Sequence, residues 1–130
     1  MFLANVNLPT ILIALLAGSL VGFLLMRRKK YDYSKIIILE ASDFKDNMRK
    51  GQLIDIRKKE KFEEGKINGA RNFPGSSSIG MIRKDIPVFL YDDNDYTQAY
   101  RVAKKMIKKE YTTIYILKDG LKNWPYGIKH

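Results

Sequence analysis

Positions 8–26 read LPTILIALLAGSLVGFLLM, a run without a charged side chain, and the pattern changes abruptly at residue 27. A helix over Leu8–Met26 would rise about 1.5 Å per residue and nearly match a hydrocarbon core of ~30 Å, so this run predicts one transmembrane helix. Beyond it the apolar runs are short and alternate between strand and helix patterns. Ile36–Leu39 reads as a strand, followed by a helix capped by Ser42, running through Arg49 and closed by Gly51. Leu53–Ile56 is the next strand, Lys59–Glu64 a helical turn ending at Gly65, and Ala70–Phe73 a third strand stopped by Pro74. The loop at 75–78 leads into one helical turn before Pro87, and Val88–Tyr91 reads as a buried strand. Ala99, Val102, Ala103, Met106 and Ile107 then fall on one face of a helix, with Arg101, Lys104, Lys105 and Lys108 opposite. Thr113–Leu117 is a β-branched strand and Leu121–Trp124 a short closing helix. Such alternation predicts an α/β fold, a parallel sheet covered by helices on both faces.

Charge gives this pattern a direction. All 24 Lys and Arg and all 14 Asp and Glu fall after residue 26, so the formal net charge of +10 belongs to the remainder of the chain. Arg27, Arg28, Lys29 and Lys30 follow the apolar run directly. A cleaved signal peptide would carry its basic residues before the apolar stretch, and no small-residue cleavage site precedes this cluster. By the positive-inside rule the expected arrangement is a single-pass protein of the cell membrane, N-terminus outside and C-terminal domain cytoplasmic. The lipid bilayer, and anionic lipid headgroups facing Arg27–Lys30, are then the first expected partners. Ala14, Gly18 and Gly22 recur every fourth residue, a face that permits close helix approach and a homodimer through the membrane helix. Glycine is also common in membrane helices generally, which is the plainer account of that stripe. The basic helix face lacks interleaved aromatics and no nucleic-acid motif is visible, so no nucleic acid is expected as a partner.

Cysteine is absent, which excludes disulfides, thiolate metal sites and a cysteine nucleophile. The lone histidine, His130, is the last residue and reads as a frayed tail. The one stretch with the look of chemistry is Asp92, Asp93, Asn94, Asp95, Tyr96 and Thr97, directly after the strand Val88–Tyr91. Residues 93–97 spell the D-x-D-x-T of aspartate-nucleophile phosphatases. That motif, however, belongs after a first strand and needs a later lysine and acidic pair on a much longer chain, so the match reads as accidental. Three carboxylates in four residues could also offer oxygen ligands to Mg²⁺ or Ca²⁺, but capping the following helix needs only one of them. No metal and no cofactor are expected.

The remaining motifs resemble a known family. Leu53-Ile-Asp55-Ile-Arg57, Glu60-Lys-Phe62, Glu64-Gly65-Lys-Ile-Asn-Gly69-Ala70 and Asn72-Phe-Pro74 resemble the first half of a rhodanese (sulfurtransferase) domain, L-I-D-V-R, E-x-F, x-G-H-I-P-G-A, N-I-P. Pro87–Tyr91 resembles the strand that delivers that family's active-site loop, and Ile114–Leu117, Gly120 and Trp124 resemble its closing segment. The resemblance spans residues 34–126 and implies a rhodanese-like domain over 34–130, while the apolar and basic runs before it read as a short extracytoplasmic tail at 1–7, the transmembrane helix at 8–26 and a basic juxtamembrane linker at 27–33. It also exposes departures. Lys66 and Asn68 replace the usual histidine and proline. Where the family places its nucleophilic cysteine in a C-x-x-G-x-R loop, this chain has Asp92, with Asp95 at the glycine position and Thr97 at the arginine position. Aspartate cannot form a persulfide. The expectation is a degenerate active-site loop with no catalytic residue, its cradle filled from within by a carboxylate, on a module that binds an unknown protein partner or regulates one. The alternative is a residual sulfurtransferase- or phosphatase-like enzyme using Asp92, Asp93 and Asp95, with a divalent metal.

Overall fold

The computed structural model describes residues 7–26, 30–76 and 78–130, apart from the side chain of residue 25. Residues 1–6, Arg27, Arg28, Lys29 and Ser77 lie outside the described residues, so the tail and most of the basic cluster are not placed. Two units are resolved by their packing, one ending at Lys30 and one spanning Tyr31–His130.

The first unit contains helix α1, Leu8–Met26. It is started by Asn7, whose Oδ1 accepts the Thr10 amide at 2.9 Å. Its apolar side chains are exposed, and a Cβ added at Gly18 or Gly22 would meet nothing within 4 Å. The expected helix is present. Among the described residues no helix is long and apolar enough to cross a membrane.

The second unit is built around β4, Val88–Tyr91, which is buried at all four positions. An uninterrupted apolar strand of this kind needs cover on both faces, and it receives it. Five parallel strands form one sheet in the order β1-β5-β4-β2-β3, with β1 at Ile36–Leu39, β2 at Gln52–Asp55, β3 at Arg71–Asn72 and β5 at Ile114–Leu117. On one face Ile54, Val88, Leu90, Ile114 and Ile116 pack with the apolar stripe of α4, Thr97–Lys108, and with Tyr111. On the other, Leu53, Phe89, Tyr91 and Leu117 pack with Phe44 and Met48 and with Leu121 and Trp124 of the closing turn. Phe44 sits edge-on to both Phe89 and Trp124, with centroids 5.5 and 6.0 Å apart. The α/β fold with elements on both faces is as expected.

Several boundaries differ for local reasons. Helix α2 is Ala41–Asn47, followed by a 3-10 turn at Met48–Lys50, and Ser42 lies inside it rather than capping it. The N-cap lies two residues earlier, at Glu40: the Leu39 carbonyl accepts the Lys118 amide, and the Glu40 side chain pairs with Lys118 at 2.9 Å instead of capping. β2 starts at Gln52, whose side chain is anchored to the 83–86 loop from both its amide ends. β3 is only two residues long, α3 runs Lys59–Glu64 as expected, and the closing helix is a 3-10 turn, Leu121–Asn123. The unit begins at Tyr31, not residue 34: Tyr31 and Tyr33 pack against the α4-side core. The expected frayed C-terminus instead returns to the domain. Lys66 and Lys129 exchange both backbone hydrogen bonds at 2.8 and 2.7 Å, and His130 Nδ1 lies 2.9 Å from the Glu64 carbonyl.

Candidate functional site

In a parallel sheet the loops leaving the strands' carboxyl ends gather on one edge, and here the ends of β2 and β4 bring the candidate residues together. Asp55, the last residue of β2, is fully buried, and Arg57 is only 7% exposed. The Asp55 carboxylate accepts the Arg57 amide at 2.8 Å, Arg57 Nε at 3.1 Å and Arg57 Nη2 at 2.8 Å. The same Nη2 donates to the Gly65 carbonyl, which ties the end of α3 to β2. Asn72 Nδ2 donates to the Asp55 and Arg57 carbonyls at 3.1 and 2.8 Å, so β3 is pinned to the same corner. Burial alone would lower the Arg57 pKa; the hydrogen bonds and charge of Asp55 more than offset it, and the guanidinium is held above its ordinary value.

Beneath this pair lies Tyr91, the last residue of β4, buried and accepting the Ile67 amide at 3.2 Å. Burial, and then the Asp55 charge, push its phenol far above the usual range, so it stays protonated at any physiological pH. Its next residue is Asp92, half-buried at the head of the loop into α4. Burial raises the Asp92 pKa against the lowering effect of the Asp93 amide, with further raising by Asp93, Asp55 and Asp95. Asp93 points the other way, its Oδ1 3.6 Å from Arg57 Nη1. Asp95 lies just before the helix, whose N-cap is Tyr96 without a side-chain cap bond, and its Oδ1 accepts the amide of Thr97, the first residue of α4, at 2.9 Å. The carboxylate at the helix start is therefore that of Asp95 rather than Asp92. Asn94, Tyr96 and Thr97 are exposed. Among the described residues no group of three acidic or imidazole side chains converges as a metal site.

The loop is fixed from behind. The Asp92 and Asp93 carbonyls accept the Leu121 and Lys122 amides, both at 2.8 Å. Gly120 permits this approach, with φ 73 and no side chain where a Cβ would lie 2.5 Å from the Asp93 oxygen. Gly69 has φ 89 and lies under the Arg49 guanidinium. Ala70 packs against the Trp124-side core, and Pro74 and Glu60 are exposed, Glu60 in the first turn of α3. Lys30, the one described member of the basic cluster, is also exposed.

Arg57 and Asp93 open onto a cleft of about 620 Å³. Lys61 and Lys122 line it with Glu64, and its apolar wall is Trp124, Tyr126 and Ile128. The returning C-terminal tail builds that wall, which sequence reasoning missed. Only the apolar spacing of Trp124, Tyr126 and Ile128 hinted at it. The Trp124 indole N–H is buried without a hydrogen-bond partner among the described residues.

The family model for the rhodanese-like domain matches residues 40–125. The chain belongs to the rhodanese-like domain family. It is 39% identical over 113 residues to the uncharacterized protein YqhL of Bacillus subtilis (strain 168), covering 83% of this chain and 89% of that one. Its fold is similar to a rhodanese-related protein from Thermoplasma volcanium, with a TM-score of 0.63 at 15% identity over 72% of this chain and 97% of the other. A rhodanese-like domain protein from Staphylococcus aureus gives 0.60 at 16% identity, over 72% and 96%. The D-I-R motif thus supplies Asp55 and Arg57 of the buried corner, and the G-A-x-N-x-P motif supplies Asn72, half-buried beside them. The closing Gly120 is the seat of the loop.

The Asp92 geometry yields a first prediction. An acid whose folded pKa is raised above its unfolded value carries no penalty when protonated in both states. It destabilises the fold progressively as pH rises through the folded value. Asp92→Asn keeps an oxygen for the Asp93 amide and removes the half-buried charge. It is expected to raise Tm at pH 7 by a few degrees, on the order of 1 kcal/mol. The gain should vanish as pH falls toward the ordinary carboxylate range. Thermal melts of both proteins across pH would show it, and a gain that persists undiminished in acid would contradict it.

Proposed function

We propose that this chain is a catalytically inactive rhodanese-like module, tethered to the cytoplasmic face of the cell membrane by α1, that offers the Arg57–Lys122 cleft to a protein partner. The observation that carries the reading is the residue at the head of the loop between β4 and α4. It is a carboxylate, Asp92, in a chain without any cysteine. Rhodanese chemistry requires a thiolate to take up sulfane sulfur as a persulfide, and a carboxylate has no sulfur with which to do so. The neighbouring carboxylates are also engaged structurally, Asp93 beside Arg57 and Asp95 on the Thr97 amide. The cleft supports the binding role. It sets Arg57, Lys61 and Lys122 against the apolar wall of Trp124, Tyr126 and Ile128, chemistry suited to a segment with acidic and apolar side chains. Support for the tether comes from the uncharged helix α1 and the basic residues 27–30 that follow it.

The test uses the full-length protein in native membranes. It is expected to stay with the bilayer through an alkaline carbonate wash and to form no thiocyanate from thiosulfate and cyanide above blank. Asp92→Cys should restore little, because Asp95 and Thr97 still occupy the glycine and arginine positions of the active loop. Turnover that disappears in Asp92→Asn would make the protein an enzyme, and release by the wash would remove the tether.

A further inference from the structure

Helix α4 turns its apolar stripe inward, and the opposite side exposes Arg101, Lys104, Lys105 and Lys108. No acidic residue lies within the helix, and the ion pairs of Asp55, Asp93, Glu63, Asp85 and Glu40 are made with cations elsewhere in the domain. The stripe is not purely charged. Lys104 Nζ lies 5.9 Å from the Tyr33 ring centroid and 5.2 Å from that of Tyr100, and Lys108 Nζ lies 6.0 Å from that of Tyr31. The Tyr31 and Tyr33 rings are 6.3 Å apart, and all three tyrosines are half-buried against the core. Three phenols thus flank one side of a cationic stripe. The sequence pattern hid this, because two of the tyrosines come from a segment far from α4 in the chain.

From this arrangement we propose that the α4 face, Arg101, Lys104, Lys105 and Lys108 with Tyr31, Tyr33 and Tyr100, docks on the anionic surface of a bilayer. The proposal deepens the membrane-tethered reading and rests on it for the presence of a bilayer close by. Charge complementarity identifies the occupant. Cations near an anionic leaflet are attracted within a Debye length of about 8 Å, and tyrosine rings favour the headgroup level, where one end is apolar and the other wet. A carboxylate-free basic helix beside amphipathic rings meets both conditions. Tyr31 follows Lys30 directly in the chain, so the tether would keep this face at high effective concentration near lipid. Docking would fix which way the cleft faces relative to the bilayer.

The test separates the face from the anchor. The unit Tyr31–His130 holds all five strands and both cores and packs by itself, so residues 31–130 can be studied without α1. This fragment is expected to co-sediment with vesicles of equal parts phosphatidylcholine and phosphatidylglycerol at least about tenfold more than with phosphatidylcholine alone, and to be released by salt. Lys104→Glu with Lys108→Glu should reduce the anionic binding by about tenfold or more. Lys58→Glu with Lys59→Glu, the same charge change elsewhere, should reduce it far less. If the reversed pair melts at lower temperature, Lys104→Gln with Lys108→Gln gives the same ranking without repulsion. Equal binding to both vesicles, equal losses in the two pairs, or stronger salt-sensitive capture by single-stranded RNA than by anionic vesicles would each overturn the proposal. None of these outcomes bears on α1, whose failure would appear only in the carbonate wash of the full chain.

Discussion

Asp55→Ala is expected to destabilise the domain by about 3–5 kcal/mol at pH 7, enough to bring a fold of this size close to half-unfolded. Removing Asp55 does not simply delete hydrogen bonds. It leaves the Arg57 guanidinium, 7% exposed, with the Gly65 carbonyl and the half-exposed Asp93 at 3.6 Å in place of a bidentate carboxylate. An uncompensated buried cation is among the most expensive groups a core can contain, whereas an apolar pair of similar size can be nearly neutral. The double variant Asp55→Ala with Arg57→Met is therefore expected to recover more than half of the loss. Urea denaturation of the four proteins of this cycle measures both the loss and the coupling. Purely additive effects would mean that the pair is not the unit that fixes β2 to α3.

That corner also shows how far the sequence could be read. The D-I-R motif identified Asp55 and Arg57, and the uninterrupted apolar run Val88–Tyr91 identified the central strand, because burial on both faces leaves no room for a polar position. The α4 stripe was equally plain: Ala99, Val102, Ala103, Met106 and Ile107 are all buried. What failed to show was every contact between residues close in space and distant in sequence. Nothing in the spacing of Lys66 and Lys129 announces their backbone pairing, which turns the last residues into a wall of the cleft. The order of the acidic loop was also opaque. Any of its carboxylates could reach the start of α4 in an extended chain. In the fold Asp95 takes the Thr97 amide in a local two-residue turn, Asp93 faces Arg57, and the Asp92 and Asp93 carbonyls are held by the Leu121 and Lys122 amides. Local chemistry named the candidates, and only the fold shows that the closing turn holds the Asp92 and Asp93 carbonyls while Asp93 faces Arg57.

The attachment itself depends on Gly120, and Gly120→Val is the second change with a large expected effect, about 3 kcal/mol or more of stability. Its backbone, φ 73 and ψ 176, lies in a region that costs a side-chain-bearing residue about 1–3 kcal/mol in strain. The surroundings allow no relief. The new Cβ would sit 2.5 Å from the Asp93 oxygen, 2.7 Å from its carbonyl carbon and 2.8 Å from the Asn94 carbonyl carbon, all backbone atoms. To separate them the loop must withdraw from the closing turn, and the bonds from the Leu121 and Lys122 amides to Asp92 and Asp93 are the first to break. Hydrogen exchange should then accelerate at those two amides more than at the β4 and β5 amides, while the denaturation midpoint falls. Gly120→Ala should follow the same course with a smaller loss, since it has the Cβ but not the branches. An unchanged midpoint with unaltered exchange in Gly120→Val would show that the acidic loop keeps its place without the turn behind it. Asp93 and Asp95 would then owe their separate partners to the loop alone.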